Sequence, residues 1–174
     1  YDDPKVRWAM AYAVNQDQLV QVGWAGAGEV ANGPFPNYPG ITKYYAGIES
    51  VLDEYNVLET HQDKVDALMT DAGFSKDDEG FWVDGDGVRP DTDIWAAVPL
   101  FGDIAPVTAE QLRKAGFDSN HVTPPDVWAG KGDGRAMLHL FGHGGSVKDP
   151  FTTLDMYHSR EEKPTGEGCG PNRP

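Results

Sequence analysis

The sequence predicts an α/β fold, a mixed sheet flanked by helices, and three observations carry that expectation. Two short apolar stretches, Asp93 to Leu100 and Arg135 to Phe141, have the length and composition of buried strands. Two other segments, His61 to Ala72 and Ile104 to Ala115, place apolar residues at helical spacing. Strands and helices then alternate along the chain, as they do in a sheet covered by helices.

The first element is a helix that starts almost at residue 1. Asp2 or Asp3 can cap it, and Pro4 stands near the first helical position, where its missing N–H costs nothing. Val6, Met10, Ala13 and Val14 form its apolar face. Asn15-Gln16-Asp17 breaks the pattern, and Asn15 can cap a restart that carries Leu19 and Val20. Residues 25 to 47 read as loop, punctuated by Gly33, Pro34, Pro36, Pro39 and Gly40. The helix from His61 to Ala72 turns Val65, Leu68, Met69 and Ala72 inward and ends at Gly73. Phe81-Trp82-Val83 and Val88 flank Asp84-Gly85-Asp86-Gly87, which predicts a hairpin. After the Asp93 strand, a helix from Ile104 ends at Gly116, and Phe117 to Thr123 is extended. Pro124-Pro125-Asp126 opens a brief helix through Trp128, and Pro150 to Tyr157 forms another. Residues 161–174 read as a Gly/Pro-rich tail, partly disordered, which leaves residues 1–160 as the folded unit.

The composition narrows the function classes. A chain of 174 residues, 39% hydrophobic, suffices for one compact core. Mean hydropathy is -0.52 and no apolar run reaches the ~18 residues of a membrane span. No basic-then-apolar segment of the signal-peptide kind opens the chain. The net charge of -14, from 28 acidic against 14 basic residues, disfavours nucleic acid as a partner. The same charge suits a salt-adapted surface or plain solubility. Cys169 is the single cysteine, so the chain has no internal disulfide and no thiolate metal site.

Several motifs invite a chemical reading and fall short of it. Asp84-Gly85-Asp86-Gly87 lacks the ligand spacing of an EF-hand and reads as a turn. Gly23, Gly26 and Gly28 follow a helix, whereas a dinucleotide loop follows a strand. His139 and His143, four apart on a strand, would lie roughly 13 Å apart, too far for one metal. No metal, cofactor or catalytic set is therefore expected. Gly142-His143-Gly144-Gly145-Ser146 has the look of an oxyanion-type loop, so a small serine-type hydrolase using Ser146 with His139 or His143 is an alternative; no Gly-x-Ser-x-Gly elbow supports it. The aromatic residues Trp24, Phe35, Trp95, Phe101 and Trp128 fall at loops and element ends. Two strands end in glycine-containing loops, Pro99 to Asp103 and Gly142 to Ser146, and ligands of open α/β sheets sit at such ends.

The order of these motifs resembles the peptide/nickel-binding family of extracellular solute-binding proteins of ABC importers. Asp2-Asp3-Pro4-Lys5-Val6-Arg7-Trp8-Ala9 is similar to that family's D-x-x-V-R-x-A helix, and Tyr12 to Val20 to its A-I-D-R-x-x-I-V continuation. Gly26-Ala27-Gly28 through Gly33-Pro34-Phe35-Pro36 resembles the G-x-G-x-x-A-x-G-P-x-P loop. Asp63 to Phe74 resembles the K-A-x-x-L-L-x-E-A-G-F helix, and Asp78 to Trp82 its D-x-D-G-x-W turn. Trp95 to Leu100, the helix to Gly116, Asp149-Pro150 and Tyr157-His158-Ser159 follow in family order.

The resemblance implies a two-lobed, flytrap-like receptor of which this chain is most of the C-terminal lobe, excised from a longer parent. It implies a non-enzymatic role: binding a peptide or other small solute outside the cytoplasm, in the periplasm or as a cell-surface lipoprotein. The partners it implies are the N-terminal lobe of the same parent and an ABC permease. In the family's peptide binders, a strand ends in a Trp-containing loop, and an aspartate three residues before the Asp-Pro aspartate holds the peptide amino group. His143 and Ser146 stand at those positions here. That departure removes the anionic partner for an ammonium and brings in oligosaccharides, modified peptides and other solutes as alternatives. The ligand-binding residues expected are Trp95, Phe101, Asp103, His143, Gly144 and Ser146.

Overall fold

In this computed structural model, residues 3–31, 33, 35–142, 145–161 and 164–167 are described. Helix α1 (Pro4–Ala13) opens as the sequence requires: Asp3 accepts from the Lys5 amide at 2.8 Å and Pro4 occupies the first turn. Asn15 caps the restart, α2 (Gln16–Gln18), by accepting from the Gln18 amide, and a π-helical turn (Leu19–Gly23) completes it. A 3₁₀ turn (Thr42–Gly47) interrupts the expected loop, and a further helix, α3 (Glu49–Glu54), follows it. Helix α4 (Gln62–Asp71) packs along α1, burying Val65 and Met69 against Val6, Ala9, Met10 and Ala13. The pair is laced at both ends, where Lys5 Nζ donates to the Asp71 carbonyl and the His61 amide to the Tyr12 carbonyl, each at 3.0 Å.

Two of the expected elements are corrected. Trp82–Val83 (β2) does form a strand, but it pairs antiparallel with Ser75–Lys76 (β1), so the hairpin turns through 77–81. Asp84 to Gly87 still makes a tight turn, closed by the Asp84 amide on the Val88 carbonyl at 3.0 Å, without a strand beyond it. The strand expected over 93–100 stops early. Ile94–Ala96 is β3, and Ala97 then caps a short helix, α5 (Val98–Phe101), in whose first turn Pro99 is favoured.

Helix α6 (Ala105–Lys114) leads to β4 (His121–Val122), and α7 (Val127–Gly132) leads to β5 (Leu138–Leu140). The three strands form a parallel sheet in the order β4-β3-β5, with Ile94 opposite both His121 and Leu138. The expected α/β class therefore holds. Ile94 and Ala96 point into the core, where α6 packs on the sheet and α1 and α4 complete the cluster. Gln111 of α6 joins the layers: its amide group donates to the Asn15 carbonyl and Gln18, and its oxygen accepts from the Asn15 amide. The β1–β2 unit is fastened where Trp82 Nε1 donates to the Ala115 carbonyl at 3.0 Å. Gly116, at φ +98, admits this contact, because a Cβ there would lie 2.9 Å from that nitrogen. Helix α8 (Phe151–Asp155) and a 3₁₀ turn (Ser159–Glu161) end the described fold, apart from residues 164–167.

Candidate functional site

The carboxyl ends of β3 and β5 lie side by side, with Ala96 opposite Leu140. The chain leaves β3 into α5 and leaves β5 into the loop that begins at Phe141-Gly142. These exits are pressed together, since a Cβ on Gly142 would stand 3.0 Å from Phe101 Cζ. Glycine at 142 is what lets the second loop cross the Phe101 ring.

Four of the six residues expected at the site have a described place. Phe101 is buried within the core and supports the loop from beneath. Asp103 is exposed at the junction of α5 and α6. His143 and Gly144 fall outside the described residues. Ser146 is buried and clasped to α8: its Oγ accepts from the Thr153 amide, and its own amide donates to Thr153 Oγ1, both at 3.0 Å. Trp95 sits between the core-facing Ile94 and Ala96 and so projects from the opposite sheet face. There its ring lies against Gly130 of α7, and the Arg135 guanidinium stands 5.5 Å from the ring centroid. The structure thus joins Phe101 and Gly142, ties Ser146 to α8, and leaves Trp95 on the far sheet face.

The sequence reading passed over the residues with most open surface. Val98 and Leu100 keep 62% and 60% of their surface exposed at the β3 exit, and Val147, further along the chain from β5, keeps 66%. The signal for the first two was Pro99, which starts a helix and turns its neighbours outward. Beside Val147, whose carbonyl abuts Gly40, a concavity of about 470 Å3 opens between Tyr44 and α8, lined by Asp149, Phe151, Leu154, Asp155 and His158. No group of three or more His, Cys, Asp or Glu side chains among the described residues is arranged to hold a metal ion. Ser146, buried with its oxygen on a backbone amide, has the geometry of a loop clasp rather than of an open nucleophile.

Comparison with known proteins decides the family. Residues 1–164 match the bacterial extracellular solute-binding proteins, family 5, middle segment. The chain belongs to that family. A curated relative, the glutathione-binding protein GsiB of Pectobacterium atrosepticum, is 49% identical over 37 residues, or 21% of this chain and 7% of the relative. Among solved structures, the mannohexaose-bound periplasmic oligopeptide-binding protein of Thermotoga maritima aligns at a TM-score of 0.66 with 24% identity, over 78% of this chain and 26% of that one. The oligopeptide-binding protein of Thermus thermophilus, complexed with a pentapeptide, aligns at 0.66 with 19% identity, over 99% of this chain and 31% of that one. These likenesses establish the fold: a family 5 segment that spans under a third of the length of such structures.

Proposed function

We propose that this chain is the main part of one lobe of a two-lobed solute receptor, residues 1–160 forming the lobe and 161–174 a tail. The observation that carries the reading is the pair of adjoining strand ends. There two parallel strands end side by side, Gly142 on the β5 exit crosses the Phe101 ring, and Val98 and Leu100 on the β3 exit face solvent. Ligands of open α/β sheets bind at such ends. Apolar side chains with backbone amides between them suit a solute of peptide or oligosaccharide size, the classes named for the family members above. Half a pocket grips weakly, because a site normally encloses most of its ligand. Closure of a second lobe supplies the rest, and the closed receptor would hand its solute to an ABC permease outside the cytoplasm. Binding and closure, with no bond made or broken, are the whole mechanism.

Asp103, Val98, Leu100, Val147 and the His143-Gly144 loop are the contacts proposed, while Phe101 and Ser146 act by holding them. The test is a thermal-shift screen of the full-length parent against peptides, oligosaccharides and metal chelates. A true ligand at a hundred times its dissociation constant adds about 2.7 kcal/mol of stability. Leu100→Glu should weaken the ligand found by at least tenfold. Unchanged affinity in that variant sinks the assignment of the cleft. Ester turnover abolished by Ser146→Ala would favour the hydrolase instead.

A further inference from the structure

Helix α8 and the turn that prolongs it have two unlike sides. Thr153 is buried and clasps Ser146. Phe151, Leu154, Asp155 and His158, at i, i+3, i+4 and i+7 on the opposite side, line the concavity of about 470 Å3. Tyr44 forms the facing wall. Its turn is held against the chain leaving β5, because Ile41 is fully buried and a Cβ on Gly40 would stand 3.0 Å from the Val147 carbonyl oxygen. The volume falls within the roughly 300–1,000 Å3 of small-molecule pockets.

The charges around this groove select its ligand. Asp149 and Asp155 lie in the lining. Lys43 Nζ stands 5.0 Å from the Tyr44 ring centroid, Lys148 is exposed next to Asp149, and Arg160 pairs with Asp155. An ammonium would meet the three cations, and an anion the two aspartates. A neutral polyol meets neither penalty. Its hydroxyls donate to carboxylate oxygens in short, charge-assisted hydrogen bonds. Its C–H groups rest on aromatic faces, which carry the negative part of the ring quadrupole, and the Tyr44 and Phe151 rings are both exposed here. Asp149 has acceptor capacity to offer: its partner among the described residues is the Phe151 amide, 3.0 Å from Oδ1.

We propose that the solute is a neutral oligosaccharide and that this groove seats one of its sugar rings, against Phe151 and Tyr44, with Asp149 accepting from its hydroxyls. The proposal rests on the reading of the β3 and β5 ends as the solute cleft, and names the solute class. The two places adjoin, since Val147 lies between the β5 exit and Asp149, and the Ser146–Thr153 clasp fixes α8 to that stretch. A chain of sugars reaches from one to the other.

The experiment titrates the full-length parent with maltohexaose, cellohexaose, mannohexaose, glucose and hexa-alanine by calorimetry. At least one hexaose should bind, glucose should bind at least a hundredfold more weakly, and hexa-alanine should not bind. Phe151→Leu keeps an apolar side chain and loses the ring, and should weaken the hexaose at least tenfold; Phe151→Trp should recover most of that loss. Asp149→Asn keeps an acceptor for the Phe151 amide and removes the charge, and should also weaken it at least tenfold. Asp86→Asn, an exposed acid elsewhere, should change nothing. Binding of hexa-alanine in place of every hexaose overturns the proposal, and so does the absence of hexaose binding. Hexaose binding that Leu100→Glu weakens while the Phe151 and Asp149 variants do not also overturns it, and leaves the strand-end cleft standing. Binding weakened by the Phe151 and Asp149 variants but not by Leu100→Glu supports the groove and sinks the cleft, so the two readings fail separately.

Discussion

Ser146 and Thr153 exchange hydrogen bonds in both directions, each backbone amide donating to the other's hydroxyl oxygen at 3.0 Å. Both residues are buried, so neither amide has water as a substitute. The clasp makes one unit of the β5 exit loop and α8. Thr153→Val keeps the shape and leaves the Ser146 amide without its acceptor, which should cost about 1–3 kcal/mol. Thr153→Ser should recover most of that loss. Ser146→Ala breaks the other hydrogen bond of the clasp and should also destabilise, and departure of the double variant from the sum of the two losses measures the coupling between the bonds. Urea denaturation of the unsubstituted chain, the three single variants and the double variant measures this, and a Thr153→Val variant as stable as the unsubstituted chain would show the clasp to be idle.

The Phe101 ring supports Gly142 from below. Phe101→Ala removes a core side chain and should destabilise by about 3–5 kcal/mol. The exit loop should collapse into the space, so hydrogen exchange of residues 141–147 should quicken more than that of α4, which lies elsewhere in the core. Uniform quickening along the chain would argue that Phe101 contributes stability and no local support.

What the sequence made legible follows from where its signals are local. Asp3, Pro4 and Asn15 act within one helical turn, and both caps formed as expected. Gly73 and Gly116 likewise end α4 and α6 in the left-handed region, at φ +87 and +98. The errors came where a distant partner decided the outcome. Asp84-Gly85 has hairpin chemistry, yet Trp82 pairs with Lys76 because its indole is anchored on the Ala115 carbonyl. Val98 and Leu100 continue the apolar run of β3, yet Pro99 lets the chain coil there and leaves both side chains in solvent. The site divided in the same way. The strand ends were legible from the glycines, but not that Trp95 faces α7, since that depends on which sheet face the core helices take.

Trp95 offers a direct reading of the far face. A Cβ on Gly130 would stand 2.3 Å from Trp95 Cζ3. Gly130→Ala should therefore displace the indole and cost about 1–3 kcal/mol by overpacking, more than the ~1 kcal/mol that alanine gains over glycine in a helix. The near-UV circular dichroism should change with it. A variant that is more stable and spectrally unchanged would mean that Trp95 does not rest on α7.

Arg89 governs the response to acid. Its guanidinium contacts Asp77 and Asp118 at 2.8 Å and Glu79 at 2.7 Å, and Arg113 adds a second contact to Asp118 at 2.7 Å. The hydrogen bond from Arg89 holds the Asp118 carboxyl below the usual aspartate range, partly opposed by burial and aided by Arg113. At Asp77 burial is the largest single influence and opposes ionisation, but the Phe81 and Glu79 amides and Arg89 together outweigh it, so that carboxyl is lowered too. A carboxyl depressed by folding binds fewer protons in the native state than in the unfolded one around the ordinary aspartate pKa of about 4. Its stabilisation is thus complete above that pH and is lost as pH falls through the lowered native values. The melting temperature should hold from pH 7 to about 5 and drop below about 4. Asp118→Asn should lower the plateau and flatten the drop. The groups are partly exposed, so the difference between the two proteins should shrink in molar sodium chloride. A pH profile of Asp118→Asn parallel to that of the unsubstituted chain would remove Asp118 from the acid response.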